Sequence, residues 1–389
     1  MTVPVAVTGV GAVTPLGVGA EVLFSRLIAG ETGTAGGDGR CHAFDAGAFL
    51  SRRERHRNAR FAQLALVAAD EAVHQAGWAD ALPYAAEDIL CVMGTGLGGA
   101  PEHTGAEASP LTVPLMMPNS AAASLGMRYG IRGESFAPSG ACAAGAQAIG
   151  FALRSIRRGE AAAAVVGGAE AASVPLVRES FAQAGALSPS GRCLPFDEDR
   201  DGFVMGEGAG VLVLESIEGA RARGAPVLGL VLGYGATTDA HHLTAPPPDG
   251  RPAAQCVRRA LTDADVLPGD LCYLNAHGTG TRLNDAAEIR SLGRALGDAL
   301  PTVPLSSTKA ATGHLFGAGG AVEAIVTLAV LRRGIAPATA GLRRPDPALG
   351  PVDHVLTPRV VEPRSRGSVG LSDSFGFGGH NAALVLGAP

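Results

Sequence analysis

Ser139-Gly-Ala-Cys142-Ala-Ala-Gly-Ala-Gln-Ala-Ile-Gly150 places one thiol in a turn of small residues that runs straight into a helix. Over residues 143–158 the apolar side chains Ile149, Leu153 and Ile156 recur at i, i+4 and i+7, Arg157 and Arg158 occupy the last turn, and Gly159 follows as a stop. Cys142 is therefore expected at or next to the helix N-terminus. Free N–H groups and the positive end of the macrodipole favour a thiolate there, the form that attacks a carbonyl carbon. The flanking glycine and alanine leave room for a substrate. A buried structural cysteine fits an alanine-rich helix equally well, and this stretch alone leaves both open.

Working outward, residues 89–94 and 162–166 have the composition of buried strands, each followed by glycines (94–99 and 167–168). Strand, helix and strand with tight glycine turns indicate an α/β sheet covered on both faces. Residues 3–7 open the chain as a strand, followed by a glycine turn over 9–17, and residues 22–28 and 58–75 are helical in pattern. The turn lacks the third glycine and the ribose-binding acid of a dinucleotide fingerprint. The passage from Gly99 to Pro118 fits no element; such passages often shape a site. The acids of residues 196–201 alternate with arginine and suit a salt-bridged loop better than a metal site. A strand near residues 227–233 starts what resembles a second half, with no disordered linker before it.

That half carries two histidine loops, Asn275-Ala-His277-Gly-Thr279-Gly-Thr281 and Ser306-Ser-Thr-Lys309-Ala-Ala-Thr-Gly-His314. His277 and His314 both stand beside glycine at the end of a strand or the approach to a helix (residues 321–333), where loops converge. No HExxH pattern includes them, and the adjacent His241 and His242 diverge on any strand, so zinc is a poor fit. Lys309 is the single lysine among 31 basic residues, which suggests a site needing a compact ammonium rather than a planar guanidinium. The tail Ser374-Phe-Gly-Phe377-Gly-Gly-His380-Asn381 reads as flexible backbone around two rings. Ser51-Arg-Arg53-Glu-Arg-His-Arg57, the densest basic run, reads first as a solvated helix start.

The 389 residues are 47% hydrophobic, 17% charged and 4% aromatic with a formal net charge of −5. This is globular composition, long enough for two domains or two similar halves, and the charge calls for neither nucleic acid nor a membrane surface. Six scattered cysteines without CxxC spacing suit reduced thiols. The first twenty residues lack a basic leader and are broken by glycine, unlike a signal peptide, and no stretch is long enough to span a bilayer. A cytoplasmic protein is expected.

One cysteine at a helix start, two glycine-flanked histidines, a sole lysine and a glycine-rich tail together resemble the β-ketoacyl synthases of the thiolase superfamily, above all the type II fatty-acid condensing enzymes and their polyketide relatives. Four blocks carry the likeness: Ala-Cys142-Ala-Ala-Gly, Arg200-Asp-Gly-Phe-Val-Met-Gly-Glu-Gly208, Asn275–Thr281 and Ser306–His314. The resemblance implies a five-layered α/β/α/β/α thiolase fold in two similar halves, 1–225 with the nucleophile and 226–389 with the histidine and lysine loops. It implies an acyltransferase in which Cys142 takes an acyl group from a carrier thioester. The N–H groups of Cys142 and Phe377 would form the oxyanion hole, and His277 and His314 would stabilise the enolate left when malonyl-carrier loses CO2. Lys309 would hold the network and Glu323 would be structural. Thr279 and Thr281 would contact the phosphopantetheine arm, Phe377 would gate the acyl pocket, and His380, close to Phe377, would bind substrate with them. Arg53 and Arg57 match positions that meet the acidic acyl carrier protein.

No metal or tightly bound cofactor is implied, because substrates ride on the carrier's phosphopantetheine arm. The partners implied are acyl carrier protein and a second subunit, either a copy of this chain or a related chain-length-factor type. Shortened segments after Gly30 and after Gly99, and His380 where many fatty-acid enzymes have threonine, point to a specialised pathway. A non-elongating partner subunit and a malonyl-carrier decarboxylase are the alternatives. A degradative thiolase would need a second catalytic cysteine near the C-terminus, and the last cysteine is Cys272.

Overall fold

A computed structural model describes residues 3–103 and 107–389; residues 104–106, inside the unassigned passage after Gly99, lie outside it. The strands that carry the architecture are β1 (Val5–Thr14), β2 (Ile89–Gly94), β3 (Ser135–Phe136), β4 (Ala163–Glu170), β5 (Gly208–Ser216), β6 (Gly229–Thr238), β7 (Leu271–Asn275), β8 (Leu305–Ser306), β9 (Val369–Gly376) and β10 (His380–Gly387). The helices used below are α1 (Arg52–Arg57), α2 (Arg60–Gln75), α3 (Ser120–Tyr129), α4 (Ala144–Arg157), α5 (Pro175–Gln183), α6 (Arg251–Ala264), α7 (Arg282–Leu296) and α8 (Gly319–Arg333).

In space the strands run β3-β2-β4-β5-β1-β6-β10-β9-β7-β8, with a two-residue strand, Gly17–Val18, attached to β1. The order of the first five, 3-2-4-5-1, recurs in the second five read from the other edge. The directions recur too. The outer three strands are parallel neighbours in each set, and the last two pair antiparallel. The intervening helices match as well: α2, α3 and α4 in the first set stand where α6, α7 and α8 stand in the second. The two sets are not separate sheets. Antiparallel pairing of Val5, Ala6 and Val7 with Val231, Leu230 and Gly229 joins them into one.

Side-chain alternation on the strands makes the layers. In β2, Ile89, Cys91 and Met93 pack under α2 and α3, whereas Leu90 and Val92 face α4 and α8. In β10, Ala382, Leu384 and Leu386 face that same central helix layer, and Ala383 and Val385 face α6. Helices thus cover both outer faces and fill the middle, giving the five-layered α/β/α/β/α thiolase fold.

Several local expectations change. The glycines at 9 and 11 lie inside β1, not in a turn: a Cβ at either would fall 1.9 Å from a carbonyl oxygen of α2, so glycine here permits close helix–strand approach. Gly167 and Gly168 lie inside β4 for the same kind of reason. The glycine-rich tail is the ordered β9–β10 hairpin, with Gly376 paired to His380 across a short turn. The basic run is α1, closed at its start by a Ser51–Glu54 capping box. The unassigned passage includes a short helix, Thr112–Met116.

Candidate active site

Residues Ala141–Ala143 form a single 3₁₀ turn that feeds α4, so Cys142 sits on the turn before the helix start. Ala141 holds φ at +51°, a left-handed conformation that a non-glycine residue adopts only under constraint. The constraint is visible behind it: a Cβ at Gly376, the end of β9, would lie 2.9 Å from the Gly140 oxygen and 3.0 Å from the Cys142 nitrogen. The hairpin and the cysteine turn therefore touch through backbone, and the Phe377 N–H donates to the Cys142 sulfur. On the other side, His314 Nε2 lies 3.0 Å from Cys142 Sγ.

His277 and His314 are buried, with ring centroids 5.4 Å apart and planes nearly perpendicular. Burial and the Lys309 ammonium hold both imidazoles well below the usual histidine range, and His314 adds to the effect on His277. Both are therefore neutral at pH 7. Cys142 departs from the sequence expectation. Its position favours thiolate, and Lys309 does too, but burial pushes the thiol up to about 12 and Glu170 adds to the rise. The resting form is the thiol, with a neutral imidazole in hydrogen-bond reach to take its proton.

Lys309 is 1% exposed and its Nζ lies 2.5 Å from Glu323 Oε1 on α8. The pair stands in a mostly apolar interior, so each charge depends on the other. A cavity of about 680 Å³ opens in front of these groups and is lined by Cys142, His277, His314, Thr279, Thr281 and Phe377. Thr279 and Thr281 hydroxyls lie 3.0 Å apart, and Thr281 also caps α7. Phe181 of α5 packs against Phe203, Phe316 and Phe377, building an aromatic wall beside the thiol. His380 is not on this lining; Gly379 and Asn381, its neighbours on the strand, are. Arg53 and Arg57 are exposed on α1, away from the cavity lining and unpaired among the described residues. No group of three or more His, Cys, Asp or Glu among the described residues is arranged to hold a metal ion, and no described helix is long and apolar enough to cross a membrane.

The family profile "Beta-ketoacyl synthase, N-terminal domain" matches residues 35–220, and "Beta-ketoacyl synthase, C-terminal domain" matches residues 228–343. The chain belongs to the β-ketoacyl synthase family. It is 39% identical to 3-oxoacyl-[acyl-carrier-protein] synthase 2 of Synechocystis sp., over 98% of this chain and 97% of the relative. It is also 39% identical to the enzyme of that name from Rhizobium meliloti, over 98% of both. Among solved structures, the ishigamide ketosynthase/chain length factor superposes with a TM-score of 0.90 at 32% identity, and a type II PKS acyl-carrier protein complex with its ketosynthase bound to the hexaketide with 0.85 at 28%, each covering 100% of both chains.

Some parts of this synthase's site were not visible in the sequence. Asp373 Oδ1 accepts the His277 N–H at 2.8 Å, Glu288 Oε2 accepts the Gly278 N–H at 2.8 Å, and Asp285 Oδ1 accepts those of Thr279 and Gly280 at 3.1 and 3.2 Å. Four successive N–H groups of the His277 loop are thus gripped by three buried carboxyls. The available signal was Asp285-x-x-Glu288, two acids at i, i+3 on the helix that follows the loop. Glu170, at the end of β4, takes N–H bonds from Gly96 and Leu97 in one half and Gly317 in the other; a lone glutamate in an apolar strand gives no hint of that.

Proposed function

We propose that this synthase performs a decarboxylative Claisen condensation between an acyl group held on Cys142 and malonyl-acyl carrier protein, releasing β-ketoacyl-acyl carrier protein and CO2, in a specialised type II polyketide, polyene or fatty-acid-like pathway. The observation that carries the proposal is the 3.0 Å approach of His314 Nε2 to Cys142 Sγ with the second neutral imidazole, His277, beside it. In the first half-reaction the Cys142 proton passes to His314 as sulfur attacks the carrier thioester. The N–H groups of Cys142 and Phe377 receive the oxyanion, and the carrier leaves as a thiol. In the second, His277 and His314, each with a proton on the ring nitrogen facing the cavity, donate to the malonyl thioester oxygen, CO2 departs, and the enolate carbon attacks the acyl carbonyl, expelling Cys142 as a thiolate that takes a proton from water. Each oxyanion donor is worth about 10²–10³ in rate. Burial, with Lys309 paired to Glu323 adding to it, keeps both imidazoles neutral, as donation without protonating the substrate requires.

The same proposal assigns residues 1–225 and 226–389 to two halves, for which the repeated strand order is the support. Thr279 and Thr281 would hold the phosphopantetheine arm, Phe377 would gate the acyl pocket, and Arg53 and Arg57 would meet the carrier. Pairing with a second subunit, identical or of chain-length-factor type, is supported by β3 ending the sheet and by exposed Val113, Met117 and Met127 nearby, and by the kind of assembly named for the ishigamide structure.

Intact-protein mass spectrometry tests the proposal. The chain, alone and with a partner subunit, is mixed with a panel of acyl-carrier thioesters and then with malonyl-carrier. Acylation lost in Cys142→Ala, followed by a carrier product two carbons longer, is expected. Loss of CO2 from malonyl-carrier without any acylation would overturn condensation in favour of decarboxylation.

A further inference from the structure

We propose that Glu288 and Asp373 share one proton, and that this carboxyl–carboxylate pair is a positioning device for His277. The inference deepens the role given to His277 above and rests on it.

Four carboxyls and two cations are buried around the His277 loop. Lys309 is paired with Glu323 at 2.5 Å, and Arg200 reaches Asp285 at 3.8 Å and Asp346 at 2.7 Å. Among the described residues no ion pair reaches Glu288 or Asp373. They come from different elements, α7 and β9, yet hold successive N–H groups, those of His277 and Gly278. Two carboxylates cannot accept from one another. Both are 0–1% exposed, and each has one oxygen, Glu288 Oε1 and Asp373 Oδ2, left without a hydrogen-bond partner by the rest of the site. Two adjacent anions in a dry interior would repel without compensation, and a single proton between those two oxygens satisfies both and leaves one charge. The remaining oxygens are occupied by N–H donors. Asp373 Oδ1 takes the His277 N–H, and Glu288 Oε2 takes Gly278 N–H and Asn284 Nδ2 at 3.2 Å. Burial raises both acids, and the neighbouring Asp373 charge adds to the rise of Glu288. Lys309, Asp285 and Glu323 are the other charges facing the pair, and Lys309 lowers both members.

The consequence is mechanical. One pair, closed by one proton, fixes the two peptides on either side of the His277 Cα, and Gly278 sits at φ +35° over the Ser307 side chain. The ring of His277 projects from between those fixed peptides.

The test uses the full-length synthase and compares Glu288→Gln, Glu288→Ala and the double variant Glu288→Gln with Asp373→Asn. A glutamine amide at 288 can donate to an ionised Asp373 and still accept the Gly278 N–H. Infrared difference spectra against wild type should show a buried carboxylic-acid C=O band lost in Glu288→Gln. In condensation, Glu288→Gln should retain kcat within about tenfold, whereas Glu288→Ala and the double variant, which faces two amide NH2 groups, should each lose about 100-fold or more with KM for carrier substrate unchanged. Absence of the band, or Glu288→Gln as inactive as Glu288→Ala, overturns the proposal. Because the infrared band does not depend on turnover, its presence in a chain that never condenses would refute the proposed function while leaving the shared proton standing.

Discussion

Replacing Lys309 by methionine leaves Glu323 buried without its partner, and the expected cost depends on pH. The side chains of both residues are 2–3% exposed and their charged atoms are 2.5 Å apart. Removing one member of such a pair costs about 3–5 kcal/mol if the other stays ionised. Glu323 can escape by taking up a proton, at about 1.4 kcal/mol for each pH unit above its unfolded value of about 4.3. Burial already raises Glu323 and only Lys309 opposes it, so in Lys309→Met the folded value rises further above the unfolded one. The folded state then binds the proton more tightly than the unfolded state, and the variant's deficit grows as pH climbs from about 4.3 toward the folded value. Urea unfolding at fixed protein concentration should show a deficit of about 1 kcal/mol at pH 5 and about 3–5 kcal/mol at pH 8. Adding Glu323→Gln should remove most of the pH dependence. An equal deficit at both pH values, or a double variant no better than the single, would refute the assignment of a mutually dependent buried pair.

Lys309→Arg keeps the charge but forces a planar, larger head into a fully buried slot; turnover should fall by about 100-fold or more while circular dichroism remains native, and wild-type turnover would make the lone lysine incidental. Reversing charge at Arg53 and Arg57 should raise KM for carrier substrates several-fold at low salt and less at high salt, and an unchanged KM would move docking away from α1. Because burial raises the Cys142 thiol, its alkylation by iodoacetamide should climb with pH through 7 to 9; a rate flat over that interval would mean a preformed thiolate.

Elements whose residues interact within a few positions were legible in the sequence. The Cys142 helix shows its apolar spacing, basic last turn and stop glycine, and it forms over Ala144–Arg157 almost as expected. The two histidines and the two threonines line one cavity, and Lys309 lies buried, paired with Glu323. Glycines misled, because their local meaning is ambiguous: at 9, 11, 167 and 168 they lie in strands where another backbone approaches, and only the partner element, scores of residues away, reveals which use applies. The carboxyl grip on the His277 loop was hidden for the same reason. Asp373 is 96 residues from the N–H it accepts. Glu288 has an i, i+3 signal, but a helix with two acids is ordinarily a solvated one. The thiolate expectation failed on a different count, since position at a helix start is local and legible whereas the desolvation that opposes it depends on the whole packed site.

The repeat of strand order also explains why the nucleophile stands where it does. Helices α4 and α8 occupy equivalent places in the two halves, and each is preceded by a three-residue 3₁₀ turn, Ala141–Ala143 and Phe316–Ala318. The first residue of each turn, Ala141 and Phe316, carries a positive φ of 51° and 46°. Two strained turns at matched positions in one chain are a repeated device, and they place Cys142 opposite Gly317. The helix starts are in contact: a Cβ at Gly145 would lie 2.9 Å from the Gly317 oxygen and 3.0 Å from the Ala321 nitrogen, and one at Gly320 would lie 2.8 Å from the Ala146 nitrogen. Two positive helix ends therefore converge beside the thiol, where an oxyanion and then an enolate must be held. Only one of the two turns can bear a side chain at its middle residue. A Cβ at Gly317 would fall 2.5 Å from Thr95 Cα, and its N–H is already bound by Glu170. Close packing of the two similar halves thus turns a symmetric frame into an asymmetric site, with the proposed nucleophile on one half and the histidines proposed to serve it on the other.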